Sequence, residues 1–234
     1  QNCIKAPDHF FKENDNSLRV ILDGIDGTAS FMRGIPLFCT AVAILVGNQV
    51  RVSAVYDPIH HVVYSGALEG KYDHPEARVW AEAWNVATGN RLRLPRPLTQ
   101  GNGHKPTLRE EAVGIHFTRS NHERLKEVLR PHANHKDASS TIERIARSCA
   151  GVYALNSGVL AMAEVAGGGL GAFVNNVTNL WDVAAGEVLV RACGGKVTEF
   201  SGAPIDYSVD KKISVVAAKQ PLHPSVLSII NDDR

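Results

Sequence analysis

The stretch Leu18-Arg19-Val20-Ile21-Leu22-Asp23-Gly24-Ile25-Asp26-Gly27-Thr28 sets the terms on which the rest of the chain is read. Its first half is β-branched and apolar, the composition of a buried strand, and it runs straight into an acidic turn containing glycine. Asp23 and Asp26 flank Ile25 at the carboxyl end of that strand, where a turn can aim two carboxylates and the Ile25 carbonyl oxygen at one point. Hard oxygen donors of this kind suit Mg²⁺ or Mn²⁺, which are held by one or two carboxylates together with substrate phosphate and water. Gly27 lets a phosphate approach the backbone and Thr28 adds a hydroxyl. A helix beginning near Ala29 would turn unpaired N–H groups and a positive dipole end toward an anion. Taken alone, Asp-x-x-Asp-Gly is also what an ordinary polar turn is made of, so its meaning depends on the remaining sequence.

Working outward, residues 40–46 and 50–56 read as two strands joined by Gly47-Asn48-Gln49, a hairpin signal, with a further strand at 61–65 after Asp57-Pro58. Residues 66–110 are rich in Gly, Pro, His and charge, so loops and short sheet edges are expected there, with a strand near 90–94. From Val113 the pattern changes. Strands are expected at 113–117, 151–155, 172–174, 196–200 and 213–217, and helices at 121–129, 139–147, 157–166 and 182–193 with a short terminal helix after Pro224. Hairpins in one part and alternating helices and strands in the other predict layered α and β structure, divided into an N-terminal part (1–112) and a C-terminal part (113–234).

Bulk properties narrow the function classes. A chain of 234 residues with 44% hydrophobic residues can bury a real core. A net charge of +1 removes any broad attraction to nucleic acid or an anionic membrane, which leaves small ligands. No apolar run approaches the ~20 residues of a membrane helix. Cys3, Cys39, Cys149 and Cys193 are widely spaced and show no CxxC pattern, so reduced thiols in a cytoplasmic protein are expected. Several tempting features have bland readings. Gly167-Gly168-Gly169-Leu170-Gly171 follows a helix and lacks the P-loop Lys-Ser/Thr, so it reads as a turn. His60 and His61, in a predicted strand, face opposite ways and cannot easily chelate one metal. Cys149 has no histidine pattern near it and reads as a packed cysteine.

The string Asp23-Gly24-Ile25-Asp26-Gly27-Thr28 resembles the DPxDGT signature of the inositol monophosphatase family, with Gly24 where proline is usual, and the likeness continues into Phe31 and Gly34-Ile35-Pro36. Trp181-Asp182-Val183-Ala184-Ala185-Gly186 is similar to the WDxAAG signature of the same family. Physically, Asp182 sits where a helix begins, and the small residues after it allow that helix to pack closely on a neighbour. Asn156-Ser157-Gly158, followed by Val165-Ala166-Gly167-Gly168, resembles the family's GSA and VAxG segments, although Asn156 and Gly158 differ from the usual residues.

From Leu18 onward the resemblance implies the family's α+β fold, a layered αβαβα sandwich shared with fructose-1,6-bisphosphatase, and a homodimer. It implies Mg²⁺-dependent, lithium-sensitive hydrolysis of a small phosphorylated metabolite. Asp23, the Ile25 carbonyl, Asp26 and Asp182 would hold the metals, Thr28 would orient the attacking water, Gly27 and Thr28 would bind phosphate, and Ser157 and Asn175 would contact substrate. Two departures matter. Asn175, seven residues before Asp182, stands where inositol-specific members often carry a glutamate. The family's upstream metal-binding GEE motif has no counterpart before Leu18, and Glu13 lies too close to Asp23 to replace it. Because the chain opens at Gln1 without a methionine, the expectation is that this glutamate lies in a segment outside these residues. Rival activities are a phosphatase of histidinol phosphate, fructose bisphosphate or 3′-phosphonucleotides. The non-enzyme reading is a regulatory binding protein with an impaired metal site.

Overall fold

Six strands near the start of the chain pair in sequence order into one antiparallel sheet: β1 (Leu18–Asp26), β2 (Cys39–Val46), β3 (Gln49–Asp57), β4 (Val62–Leu68), β5 (Val79–Asn85) and β6 (Arg91–Leu92). The structure is a computed structural model that describes residues 18–68, 79–92, 94, 106–116, 138–208 and 211–231. Period-two alternation decides what each strand buries; Cys39, Ala41, Ala43 and Leu45 of β2 all face the core. β1 departs from the fully buried strand that its composition predicts. Leu18, Val20 and Leu22 are 66%, 60% and 65% exposed, because β1 is an edge strand and the described residues cover only one of its faces. Its inward-facing Arg19 is buried with its charge well partnered. The guanidinium donates to the carbonyls of Tyr207 (2.9 Å) and Gly47 (2.6 Å) and to Asn48 Oδ1 (2.9 Å).

His60 and His61 lie in the β3–β4 turn rather than in a strand, because Asp57 Oδ1 accepts the N–H groups of Ile59 (2.9 Å) and His60 (3.1 Å) and turns the chain. The main strand of the region expected to be looped is β5. It turns Ala81 and Ala83 toward the core, but Ala and Glu are poor strand formers, so the strand is weakly marked in sequence.

The second sheet contains β7 (Ala112–His116), β8 (Gly151–Tyr153), β9 (Ala172–Thr178), β10 (Gly195–Thr198) and β11 (Ile213–Lys219), in the order β10-β11-β9-β7-β8. β7 runs parallel to both β8 and β9. The helices are α1 (Thr28–Phe31), α2 (Ala138–Ser148), α3 (Gly158–Gly167), α4 (Ala184–Ala192) and α5 (His223–Ile230). None of the described helices is long and apolar enough to cross a membrane. The helix expected at 121–129 lies outside the described residues. β9 runs to Thr178, beyond the expected end at Val174, since buried Asn175 and Asn176 stay in the ladder despite their low strand propensity. The glycine run after α3 is a turn, with Gly168 capping the helix at φ 88°.

Layering follows from the apolar faces. α3 and α4 lie between the sheets, α4 against β3, β4 and β10, α3 against β9 and β11. One core runs from Leu45 and Val55 of the first sheet through Met162 and Leu189 to Phe173 and Val215 of the second. α2 and α5 cover the other face of the second sheet, where Ile145, Val226 and Ile230 pack on Val113, Val174 and Val216. The result is a layered α+β architecture. The core also holds a charged group, Glu187, whose carboxylate accepts from Tyr207 Oη (2.7 Å) and Arg191 (2.9 Å), so its burial is compensated by bonds.

Two features of this core give tests. A Cβ on Gly186 would stand 2.6 Å from Met162 Cβ and 2.8 Å from Met162 Sδ, so α3 and α4 approach closely only because position 186 has no side chain. Gly186→Val should therefore lower the unfolding free energy by about 2–3 kcal/mol in urea titrations; an unchanged midpoint would contradict this packing. His223, at 1% exposure, faces Thr198 Oγ1 across 3.0 Å; burial first, and the Lys196 charge second, push its pKa down from 6.5 to about 4. Between those values the unfolded chain binds a proton that the folded chain refuses, so this group's contribution is present above pH 6.5 and is lost toward pH 4. Comparing His223→Gln with the parent isolates it: the difference in melting temperature should change with pH across that window and stay flat above it.

Candidate metal centre

Residues three apart on a regular strand point to opposite faces of the sheet. β1 evades this at its carboxyl end. Asp23 pairs with Ala41 and Asp26 with Cys39, so β1 carries one residue more than β2 between those pairs. That bulge shifts the pleat by one position and turns both aspartates to the same side. Asp182 arrives from the other sheet, in the short 3₁₀ turn Leu180–Asp182 after β9. It was expected to open the helix, but α4 begins only at Ala184. One oxygen from each of Asp23, Asp26 and Asp182 lies within 4.8 Å of the others.

Each carboxylate is held by one oxygen. Asp26 Oδ2 accepts from Ser157 Oγ (2.5 Å) and from the Val159 N–H (2.8 Å). Asp182 Oδ2 accepts from Thr178 Oγ1 (2.7 Å), the Asn179 N–H (3.2 Å) and Asn179 Nδ2 (3.0 Å). Asp23 Oδ1 accepts from the Ile25 N–H (3.0 Å). Each carboxyl also has a second oxygen that takes no donor of another residue type among the described residues, and Asp23 and Asp182 are close enough to interact directly.

The electrostatics fit a hard divalent cation. Burial first, and the Asp182 charge second, raise Asp26 from 3.8 to about 7 and Asp23 from 3.8 to about 6. Both shifts have the same cause, negative charge gathered in a partly desolvated place. Among the described residues no basic side chain forms an ion pair with the three. Converging oxygen donors with excess negative charge are what Mg²⁺ or Mn²⁺ requires.

Around this cluster, Thr28 Oγ1 donates to the Ile25 carbonyl at 2.8 Å, which leaves that oxygen a second lone pair. Gly27 has φ 84°, and a Cβ there would stand 2.6 Å from the Leu37 carbonyl oxygen, so the turn tolerates no side chain. α1 is a single turn of four residues, too short for a sizeable macrodipole. What it offers an anion is the unpaired N–H groups of its first residues, Thr28 and Ala29. Ser157 and Asn175, expected to contact substrate, are each 1% exposed. The Ser157 hydroxyl is committed to Asp26 and Asn175 Oδ1 to the Val177 N–H (3.2 Å), so both serve the interior.

Thr178 and Asn179 carry no mark in the sequence reading, although a hydroxyl four residues and an amide three residues before an aspartate form a readable capping pattern. His116, at the end of β7 beside Asn175, also went unnoticed; burial lowers its pKa while the nearby Asp182 charge raises it. No sequence signal marks it. Cys39 is buried, with Sγ 3.9 Å from both Asp26 Oδ2 and Ser157 Oγ, and burial pushes its thiol far above the ordinary range, so it is inert.

Comparison with known proteins places this geometry. Residues 5–232 match the model of the inositol monophosphatase family. The chain is 25% identical over 188 residues to Nus factor SuhB of Pasteurella multocida, covering 80% of this chain and 59% of that protein. It is 25% identical over 235 residues to the fructose-1,6-bisphosphatase/inositol-1-monophosphatase of Thermotoga maritima, covering 98% of this chain and 73% of the relative. Among solved structures, Mycobacterium tuberculosis SuhB superposes with a TM-score of 0.68 at 22% identity, covering 93% of this chain and 73% of that one. The chain thus spans about six tenths of one relative and nearly three quarters of the others. With a family match over nearly its whole length and the same overall fold, the chain belongs to the inositol monophosphatase family.

Proposed function

We propose that this protein hydrolyses a small phosphate monoester with Mg²⁺, or Mn²⁺ in its place, at Asp23, Asp26 and Asp182. The observation that carries the reading is the arrangement of the three carboxyls, each anchored by hydrogen bonds and each bringing an oxygen within 4.8 Å of the others. These carboxylates and the Ile25 carbonyl would hold the cation, which would neutralise charge on the phosphoryl group and lower the pKa of the attacking water. The rest belongs to the chain. The N–H groups of Gly27 and Thr28 bind phosphate oxygens, in a turn that the positive φ of Gly27 keeps open. The Thr28 hydroxyl, by turning from the Ile25 carbonyl, accepts from and orients the water in line with the scissile bond. Ser157 and the Val159 N–H keep Asp26 from rotating.

The alcohol is the finer question. An inositol phosphate is the first candidate by family; histidinol phosphate, fructose bisphosphate and a 3′-phosphonucleotide remain rivals, since only substrate-contacting loops separate these activities. The homodimer implied by the resemblance, and the cytoplasmic setting read from the cysteines, belong to the same proposal. Glu13, the one glutamate before Asp23, lies outside the described residues.

Asp26→Asn should reduce Mg²⁺-dependent phosphate release by at least about a hundredfold, while the melting temperature without metal stays level or rises, because a disfavoured buried charge is removed. An undiminished rate would sink the assignment. Stripping divalent ions with a chelator should stop phosphate release and Mg²⁺ should restore it. Assayed across the four candidate phosphates, the full chain should favour one; a blank panel with Mg²⁺ present would turn the reading toward a regulatory binding protein.

A further inference from the structure

The Asp182 carboxylate is oriented by an amide, and an amide can be turned either way in the same space. Asn179 could present to Asp182 its NH₂, which binds a carboxylate, or its oxygen, which repels one. The choice is made on the other side of the amide. Lys212 Nζ, from the residue just before β11, donates to Asn179 Oδ1. An ammonium has donors only, so it demands the amide oxygen and leaves Nδ2 facing Asp182 Oδ2 at 3.0 Å. Lys212 is itself steadied over the Trp181 ring, 5.9 Å from its centroid, within the turn that carries Asp182. Its neighbour Lys211 pairs with Glu199 at 3.1 Å, whereas Lys212 pairs with no carboxylate among the described residues.

We infer that Lys212 and Asn179 are positioning residues for cation binding: the lysine fixes the amide, and the amide fixes which oxygen of Asp182 faces Asp23 and Asp26. The inference rests on the reading that these three carboxylates hold a divalent cation. With Nδ2 in place, Asp182 Oδ2 takes three donors, two of them from Asn179, and the carboxylate cannot exchange its oxygens by rotation. Without the lysine, the amide is free to flip and the third donor is lost.

Charge alone makes the opposite prediction. A positive side chain close to a cation site repels the cation, so its removal would tighten binding. The two accounts therefore differ in sign. Mn²⁺ titration calorimetry on the full chain, in about 0.15 M salt to screen the exposed charge, decides between them. Lys212→Met should weaken Mn²⁺ binding by about threefold to tenfold and Asn179→Leu by about tenfold or more, as loss of groups supporting a metal ligand does. Lys212→Arg, still a donor and still able to stack on Trp181, should stay within about twofold of the parent. In the Asn179→Leu background Lys212→Met should add nothing further. Equal or tighter binding by Lys212→Met overturns the inference. So does a weakening that persists undiminished in the Asn179→Leu background, or a rise in substrate KM with Mn²⁺ binding unchanged, which would make Lys212 a substrate contact. If the parent itself binds no Mn²⁺, the metal-site reading falls and this inference falls with it.

Discussion

The bond from the Ser157 hydroxyl to the Asp26 carboxylate, 2.5 Å long and buried, ties the two halves of the molecule together beside the acidic cluster. A carboxylate this deep is disfavoured, and its raised pKa says so. It is tolerated because it lies at the N-terminus of α3, where Ser157 caps the helix and the Val159 N–H would otherwise lack a partner. One side chain thereby satisfies a helix end in the second half of the sequence and terminates a strand in the first. Displace it, and the bulge in β1 loses the contact that decides which way Asp26 faces.

That dependence explains why the acidic cluster needs two sheets. The first sheet alone offers Asp23 and Asp26, and the loop after β9 offers Asp182. Neither has enough oxygen donors to hold a hard cation well. α3 and α4, packed between the sheets, set the spacing through contacts such as Gly186 on Met162. Small residues in the second acidic signature and the carboxylate itself therefore serve one end: the glycine brings the helices together, and the helices bring Asp182 to the others.

Much of this was legible in the residues. The acidic turn at 23–28, the hairpin at Gly47 and the alternation of strands and helices after Val113 are local patterns, and local patterns survive in a single sequence. What could not be read depends on pairing. The bulge exists only relative to β2, so no inspection of β1 reveals that Asp23 and Asp26 face one way. Ser157 stands out in the sequence, but its partner stands on another sheet, and the helix cap and the carboxylate bond are indistinguishable from sequence. β5 was hidden by alanine and glutamate, and β9 was cut short by two asparagines that the core keeps in register. The exposed face of β1 is the clearest case: the same apolar string suits a buried strand or an edge, and only the sheet order decides.

The separation of the two partners along the chain has a temporal side. Asp26 and Ser157 are 131 residues apart, and the ribosome makes the first sheet well before it reaches either Ser157 or Asp182. Closing so long a loop is among the slower events a folding chain undertakes. Until the later segment is made, the chain carries only part of the acidic cluster, Asp23 and Asp26. The three carboxyls come together only when the second sheet docks on the first, so the complete cluster is a feature of the finished fold and of neither half.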